Sequence, residues 1–309
     1  MMDRRLFMAG LVALGACRDE LGSTNQKDAH QKRMAITMDD FNLEFDIGLS
    51  QRVRHENILD AFDAVKHKAA GFITGAFVDK DWGQQVYKDW VKKGHLIGNH
   101  TWAHPHANET SVEDYISNIR NNHRFLLSSH GTSDFFRFPF LDDGRDRAQQ
   151  VALFEALQEL ELRNAPVTMD SVDWYTSSRL EAALKTNPNV DLAPYRDYYV
   201  TMCVTLSNHW DQVAQALGYK SLPHLTLMHH NILNGHFLKD VLLALKADGW
   251  RFVDAVQALE FDEYHPIPNA PTHGRNWLTL KALERGIEIP PYPKQYLAFG
   301  RKEMDALGL

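Results

Sequence analysis

The sequence predicts an α/β fold, a distorted (β/α) barrel of about seven strands. Three observations lead there. Short apolar, β-prone runs alternate along the chain with segments whose apolar residues recur at helical spacing, the layout of a parallel α/β protein. The number of such runs suits a barrel, closed or incomplete. The 309-residue chain is 44% hydrophobic, enough to bury a substantial core.

The elements follow in order. A first strand is expected over 34–38 (MAITM), then a helix on which Ile58, Leu59, Phe62 and Val65 share one face and which stops near Gly71. Residues 72–77 (FITGAF) read as a strand, and 83–94 as a helix with lysines in its last turn and Gly94 to end it. Strand 95–99 (HLIGN) precedes a long helix, 111–131, capped by Ser111 with Asp114 three residues on. Strands 135–138 and 165–169 flank a helix at 147–162. Residues 175–223 read as a helical insertion, followed by strand 222–228, helix 235–249, strand 250–253 and a short helix at 254–260. The principal domain is thus 33–262. Residues 263–309 are rich in proline and read as a surface tail with a short helix near 277–285. No internal repeat is visible.

The first 17 residues stand apart. Arg4 and Arg5 precede an apolar run from Leu6 to Ala16, the layout of an export signal and too short a run to span a bilayer. DRRLFM resembles a twin-arginine signal. LGAC, ending at Cys17, resembles a lipobox, which would make Cys17 a lipid anchor. The expected location is outside the cytoplasm, periplasmic or held at a membrane as a lipoprotein. Residues 18–32 are polar and aperiodic and read as a tether. Cys203 is the other of two cysteines and, in an apolar helical context, reads as a buried small hydrophobe. Stability then rests on the core and a metal rather than on a disulfide. The formal net charge of −7, with no Lys/Arg run, argues against nucleic acid as a partner.

In a (β/α) barrel, function sits on the loops that follow the strands. Asp39 and Asp40 follow the first strand; where the backbone turns, both can face one pocket, although, taken alone, a solvated turn with a helix N-cap explains them better. His100 and His104 follow HLIGN at a spacing that can grip one metal ion, or they are two surface histidines. Pro105 pushes His104 out of helical geometry, so the pair reads as a loop clamp. Arg137 ends the strand before Pro139 and Phe140, and an arginine there can hold a carboxylate bidentately. Asp170, Asp173 and Trp174 follow the next strand, and Leu227, His229 and His230 close the last long one. A histidine at such a place can be a general acid with a carboxylate to fix its tautomer. Each signal is modest alone; together they fall at successive strand ends.

Taken together, TMDDF (Thr37–Phe41), HTWAH (His100–His104), RFPF (Arg137–Phe140), DSVDW (Asp170–Trp174) and LMHH (Leu227–His230) resemble the five motifs of the polysaccharide deacetylase family, also called carbohydrate esterase family 4 or the NodB-homology domain. The resemblance spans about residues 33–260. It implies a metal triad of Asp40, His100 and His104, a general base in Asp39 oriented by Arg137, and a general acid in His229 tuned by Asp173. It implies further that the backbone N–H of Phe140 stabilises the oxyanion and that Trp174 and Leu227 line the pocket for the acetyl methyl group. The cofactor would be a divalent metal, zinc first, with cobalt, nickel and manganese as alternatives. The partner would be a carbohydrate, and the reaction hydrolysis of an acetamide on an N-acetylated polysaccharide or oligosaccharide. The alternatives are an O-acetyl esterase of the xylan type and a non-catalytic carbohydrate-binding protein on the same fold. Two departures stand out. Phe41 replaces a small residue and would crowd the site mouth. His230 replaces a usual aspartate, so another carboxylate would support His229.

Overall fold

The computed structural model describes residues 30–43, 46–79, 82–129 and 134–309. The export signal, Cys17 and nearly all of the tether therefore lie outside the described residues. The strands are β1 (Arg33–Ala35), β2 (Thr37–Asp40), β3 (Ala70–Ile73), β4 (Leu96–Asn99), β5 (Phe135–Phe136), β6 (Arg163–Asn164), β7 (Met169–Asp170), β8 (Pro223–His229) and β9 (Arg251–Phe252). All their ladders are parallel. The sheet runs β6-β5-β4-β3-β2-β8-β1-β9, with β7 paired to β8 off this path. It is the parallel α/β fold that the alternation predicted, as an open path of strands.

Two expected strands are each divided, which accounts for nine segments. The first breaks at Ile36, whose N–H leaves the sheet and donates to His67 Nε2 at 3.1 Å. The strand expected at 165–169 is displaced to its two flanks, β6 and β7. Its middle faces other partners: Ala165 O and Pro166 O accept from Arg137, and Val167 O accepts from Trp277 N. The run FITGAF is a strand only to Ile73. Residues Gly75–Val78 turn into a short helix, α2, because the Gly75 and Ala76 amides bond to Thr101 O and Trp102 O instead of a strand.

The helices sit near their predicted places. They are α1 (Gln51–Val65), α3 (Gly83–Lys92), α4 (Val112–Ser129), α5 (Arg147–Glu159), α6 (Asp173–Thr186), α7 (Ala193–Ala216), α8 (Ile232–Ala247), α9 (Ala255–Leu259), α10 (Trp277–Arg285) and α11 (Arg301–Leu307). Starts are fixed by side-chain caps: Ser50 accepts from Val53 N, Ser111 from Asp114 N, Asp146 from Gln149 N and Asn231 from Asn234 N. The core lies between the sheet and these helices, and Cys203 is buried in it. A smaller cluster of Tyr115, Ile119, Phe136, Leu153 and Leu157 packs α4 and α5 onto β5.

Residues 263–309 contribute Tyr264, Trp277, Leu278, Tyr296 and Met304 to the main core, and Gln31–Leu309 form one compact unit. Arg179 on α6 pairs with Asp305 at 2.8 Å and donates to Leu309 O. Among the described residues, no helix is long and apolar enough to cross a membrane.

What positions the site is register. Asp40 pairs with Ile73, Ile73 with Asn99, and Asn99 with Phe136; on the other side Asp39 pairs with His229. Parallel strands end on one edge, so the residues following β2, β4, β5 and β8 converge there although they are far apart in sequence.

Candidate active site

At that edge the chain leaves β2 through two left-handed residues, Asp40 (φ 74°) and Phe41 (φ 59°). This turn lets the neighbouring carboxylates Asp39 and Asp40 line one cavity rather than opposite faces. Phe41 does not crowd the mouth, as the sequence had led us to expect. It is fully buried, edge-on to Trp90 and stacked on His230 at 4.9 Å. The reversed backbone turns its ring inward.

The HTWAH segment is irregular, with Thr101 at φ 65° and His104 at φ 55°, the loop clamp that Pro105 implied. Thr101 N donates to Asn99 Oδ1 at 2.9 Å, and Asn122 on α4 donates to the same oxygen at 2.9 Å. His100 Nδ1 contacts Arg137 O at 2.8 Å, which fixes its ring and leaves Nε2 to face Asp40. The Nε2 atoms of His100 and His104 lie 3.4 and 3.0 Å from Asp40 Oδ1. One ligand atom from each of the three residues falls within 4.8 Å of the others.

These residues fit a divalent cation. Asp40 Oδ1 is buried without a hydrogen-bond partner, an arrangement that is costly unless something positive sits there. Burial pushes the Asp40 carboxyl up, but His100 and His104 outweigh it and hold the group well below its usual range, so it is charged. Two imidazoles and one carboxylate are the donor set of an open, catalytic type of site.

Asp39 is buried beside this cluster and faces Arg137 Nη1 at 2.9 Å. Arg137 is itself fully buried, with Nε bonded to Ala165 O at 3.0 Å and its guanidinium 4.2 Å from the Phe72 ring centroid. Burial pulls its pKa down, and Asp39 opposes that. Because its neighbours Asp39, Phe72 and Ala165 come from three separate segments, Arg137 holds Asp39 in one orientation.

His229 Nδ1 lies 2.8 Å from Asp173 Oδ1, leaving Nε2 for the cavity. Asp173 Oδ2 accepts from His229 N, Asn231 Nδ2 and Asn234 Nδ2 at 2.8, 2.9 and 2.8 Å. Tyr199 on α7 donates to Asn234 Oδ1 at 2.8 Å. Burial lowers the His229 pKa, but Asp173 foremost, then Asp40 and Asp39, raise it to about 10. The carboxylate beside His229 is therefore Asp173. His230 points away and pairs with His55 Nδ1 at 3.2 Å.

The cavity measures about 520 Å³ and collects Asp39, Asp40, His100, His104, Phe140 and His229. Trp174 and Leu227 also line it. Phe140 stands at φ 57° with its ring exposed and stacked on His106 at 3.5 Å. Sequence reasoning missed Asn231, Asn234, Tyr199 and Phe299. Asn231 had a signal, an N-cap residue directly after LMHH; Phe299 reaches the cavity from the C-terminal segment and had none.

At the strand ends of a parallel α/β fold, two histidines and a carboxylate that could hold a metal ion lie beside a buried Asp–Arg pair and a His–Asp pair. Residues 26–163 match the family model described as polysaccharide deacetylase, the family that the motifs resemble. No curated protein sequence matches the chain. Among solved structures, the fold resembles a chitin deacetylase from Colletotrichum lindemuthianum (TM-score 0.53, 18% identity, covering 78% of this chain and 94% of that one). It also resembles the peptidoglycan deacetylase PdaC from Bacillus subtilis (0.51, 18%, 75% and 92%). A third likeness is to a Bacillus anthracis pseudoenzyme of carbohydrate esterase family 4, in a mutant with restored enzymatic activity (0.53, 17%, 74% and 68%). At these identities the likeness carries the fold.

Proposed function

We propose that the protein is a metal-dependent hydrolase that removes acetyl groups from N-acetylated sugars of a polysaccharide or oligosaccharide. The observation that carries this is one cavity lined by the Asp40–His100–His104 cluster, the Arg137-held Asp39 and the Asp173-held His229. A zinc ion, or cobalt, nickel or manganese, would be held by Asp40, His100 and His104 and, when bound, would supply Lewis acidity at the carbonyl and lower the pKa of water. Asp39 accepts the proton of the attacking water. Arg137 keeps its carboxylate aimed. His229, protonated near neutrality by its three aspartates, delivers a proton to the leaving amine from Nε2. Asp173, fixed by two asparagines, holds the His229 ring with Nε2 toward the cavity. The backbone N–H of Phe140 faces the oxyanion, and Trp174 and Leu227 pack the acetyl methyl.

Two of the structural neighbours are a chitin deacetylase and a peptidoglycan deacetylase, and both polymers carry N-acetyl groups, which supports the amide reading over the O-acetyl ester one. The pseudoenzyme neighbour keeps the alternative of a non-catalytic carbohydrate-binding protein in view; the intact set of Asp39, Arg137 and His229 argues against it. The test is acetate release by residues 24–309 after chelation and refilling with zinc or cobalt, on N-acetylated chitooligosaccharide and acetylated xylan side by side. Release from the first, abolished in Asp39→Asn while zinc still binds, is expected. Release from xylan alone would move the protein to the esterases, and equal release by wild type and Asp39→Asn would remove the base assignment. The export reading from residues 1–17 places this work outside the cytoplasm; Arg4→Lys with Arg5→Lys should strand precursor inside the cell, and undisturbed export would refute twin-arginine routing.

A further inference from the structure

The 3₁₀ turn Lys294–Gly300 brings an aromatic ring to the cavity from outside the segment that the family model matches. Phe299 lines the cavity and is 46% exposed, beside Trp174 at 42%. Their ring centroids are 4.8 Å apart at 64°, and Tyr175 backs Phe299 at 5.9 Å. The turn is built to hold this ring outward. Ala298 (φ 48°) and Phe299 (φ 64°) are consecutive left-handed residues, a conformation glycine would adopt with less strain. On either side the chain is pinned. Tyr296 is buried, and Gly300 (φ 77°) lies so near the Tyr198 hydroxyl that a Cβ would stand 2.0 Å from it. Arg301 Nε reaches the Tyr175 hydroxyl at 3.3 Å. Strain fixed by surrounding anchors, at the rim of a reaction cavity, points to use of the exposed group.

Around these rings the wall is polar, with Ser177, Ser178 and Glu181 on α6. A flat apolar face edged by hydroxyl and carboxylate acceptors matches a pyranose ring, which has an apolar C–H face and a rim of hydroxyls. The cavity of about 520 Å³ extends well beyond an acetamido group.

We infer that Phe299, braced by Trp174 and Tyr175, forms a stacking subsite for a second sugar ring of the substrate chain, so that the C-terminal segment selects oligomeric over monomeric acetylated substrates. The inference rests on the carbohydrate reading proposed above. Wild type and Phe299→Ala are compared on N-acetylated chitotetraose and on 4-nitrophenyl acetate, which has no second ring. Phe299→Ala should raise KM for the tetramer about tenfold and change KM for the small ester far less, and Phe299→Trp should restore the tetramer KM. Equal effects on both substrates, or none on either, would overturn the subsite. Calorimetric titration of chitotetraose and acetylated xylotetraose into Asp39→Asn keeps the two proposals apart. Binding that weakens about tenfold on adding Phe299→Ala supports the subsite whether or not acetate is released. Binding of either chain that is indifferent to Phe299, or no binding of either, refutes it.

Discussion

Arg137→Met is the most informative perturbation of this site. The guanidinium is fully buried and lies 2.9 Å from Asp39, which is also buried. Removing one partner of such a pair leaves an uncompensated buried charge and costs about 3–5 kcal/mol. That is at least about a fifth of a typical folding stability of about 5–15 kcal/mol. The urea midpoint, followed by tryptophan fluorescence, should fall accordingly with an unchanged m-value. Acetate release should fall with it, because Asp39 loses the group that orients it. A double-mutant cycle separates charge from packing. Asp39→Asn alone strands the arginine and should also destabilise. The double variant Asp39→Asn/Arg137→Met removes both charges and should be more stable than the sum of the singles by at least about 2 kcal/mol. Additive losses would mean that the cost lies in the arginine's contacts with Phe72, Ala165 and Pro166, and the ion-pair reasoning would be wrong.

The remaining predictions concern the metal, pH and packing. Zinc should raise the Tm of wild type in a concentration-dependent way, and His104→Ala should abolish most of that rise; an equal rise in both would remove the triad. Burial first of all lowers the pKa of His55 and His67 to about 4 and of His95 to about 3. All three are neutral in the folded chain, and His67 Nε2 and His95 Nδ1 accept backbone N–H bonds in that form. As pH falls below about 6.5 the unfolded chain takes up protons first, so stability is present above that pH and is lost toward pH 4, by about 2 kcal/mol per histidine at pH 5. A urea midpoint constant from pH 7.5 to pH 4.5 would contradict this. A Cβ at Gly71 would stand 2.7 Å from Phe41 Cζ, so Gly71→Ala should cost about 1–3 kcal/mol and disturb the Asp40 turn; an unchanged midpoint would show that Phe41 can yield.

The sequence by itself determined the class of fold and the identities at the strand ends. Hydrophobic alternation is local, and parallel strands necessarily deliver the residues after Asp40, Asn99, Phe136 and Met228 to one edge. Pro105 announced the His104 turn because its steric effect acts on the adjacent residue. The split of the 165–169 strand was not legible, since it depends on carbonyls taken by Arg137 and Trp277. Tertiary structure supplied what sets the two aspartates apart, the left-handed backbone at Asp40 and, for Asp39, an arginine 98 residues away. It turned Phe41 inward, set Asn234 and Tyr199 behind Asp173, and brought Phe299 to the cavity. Those placements come from packing between segments distant in sequence, where no period, cap or local turn chemistry records who the neighbour will be.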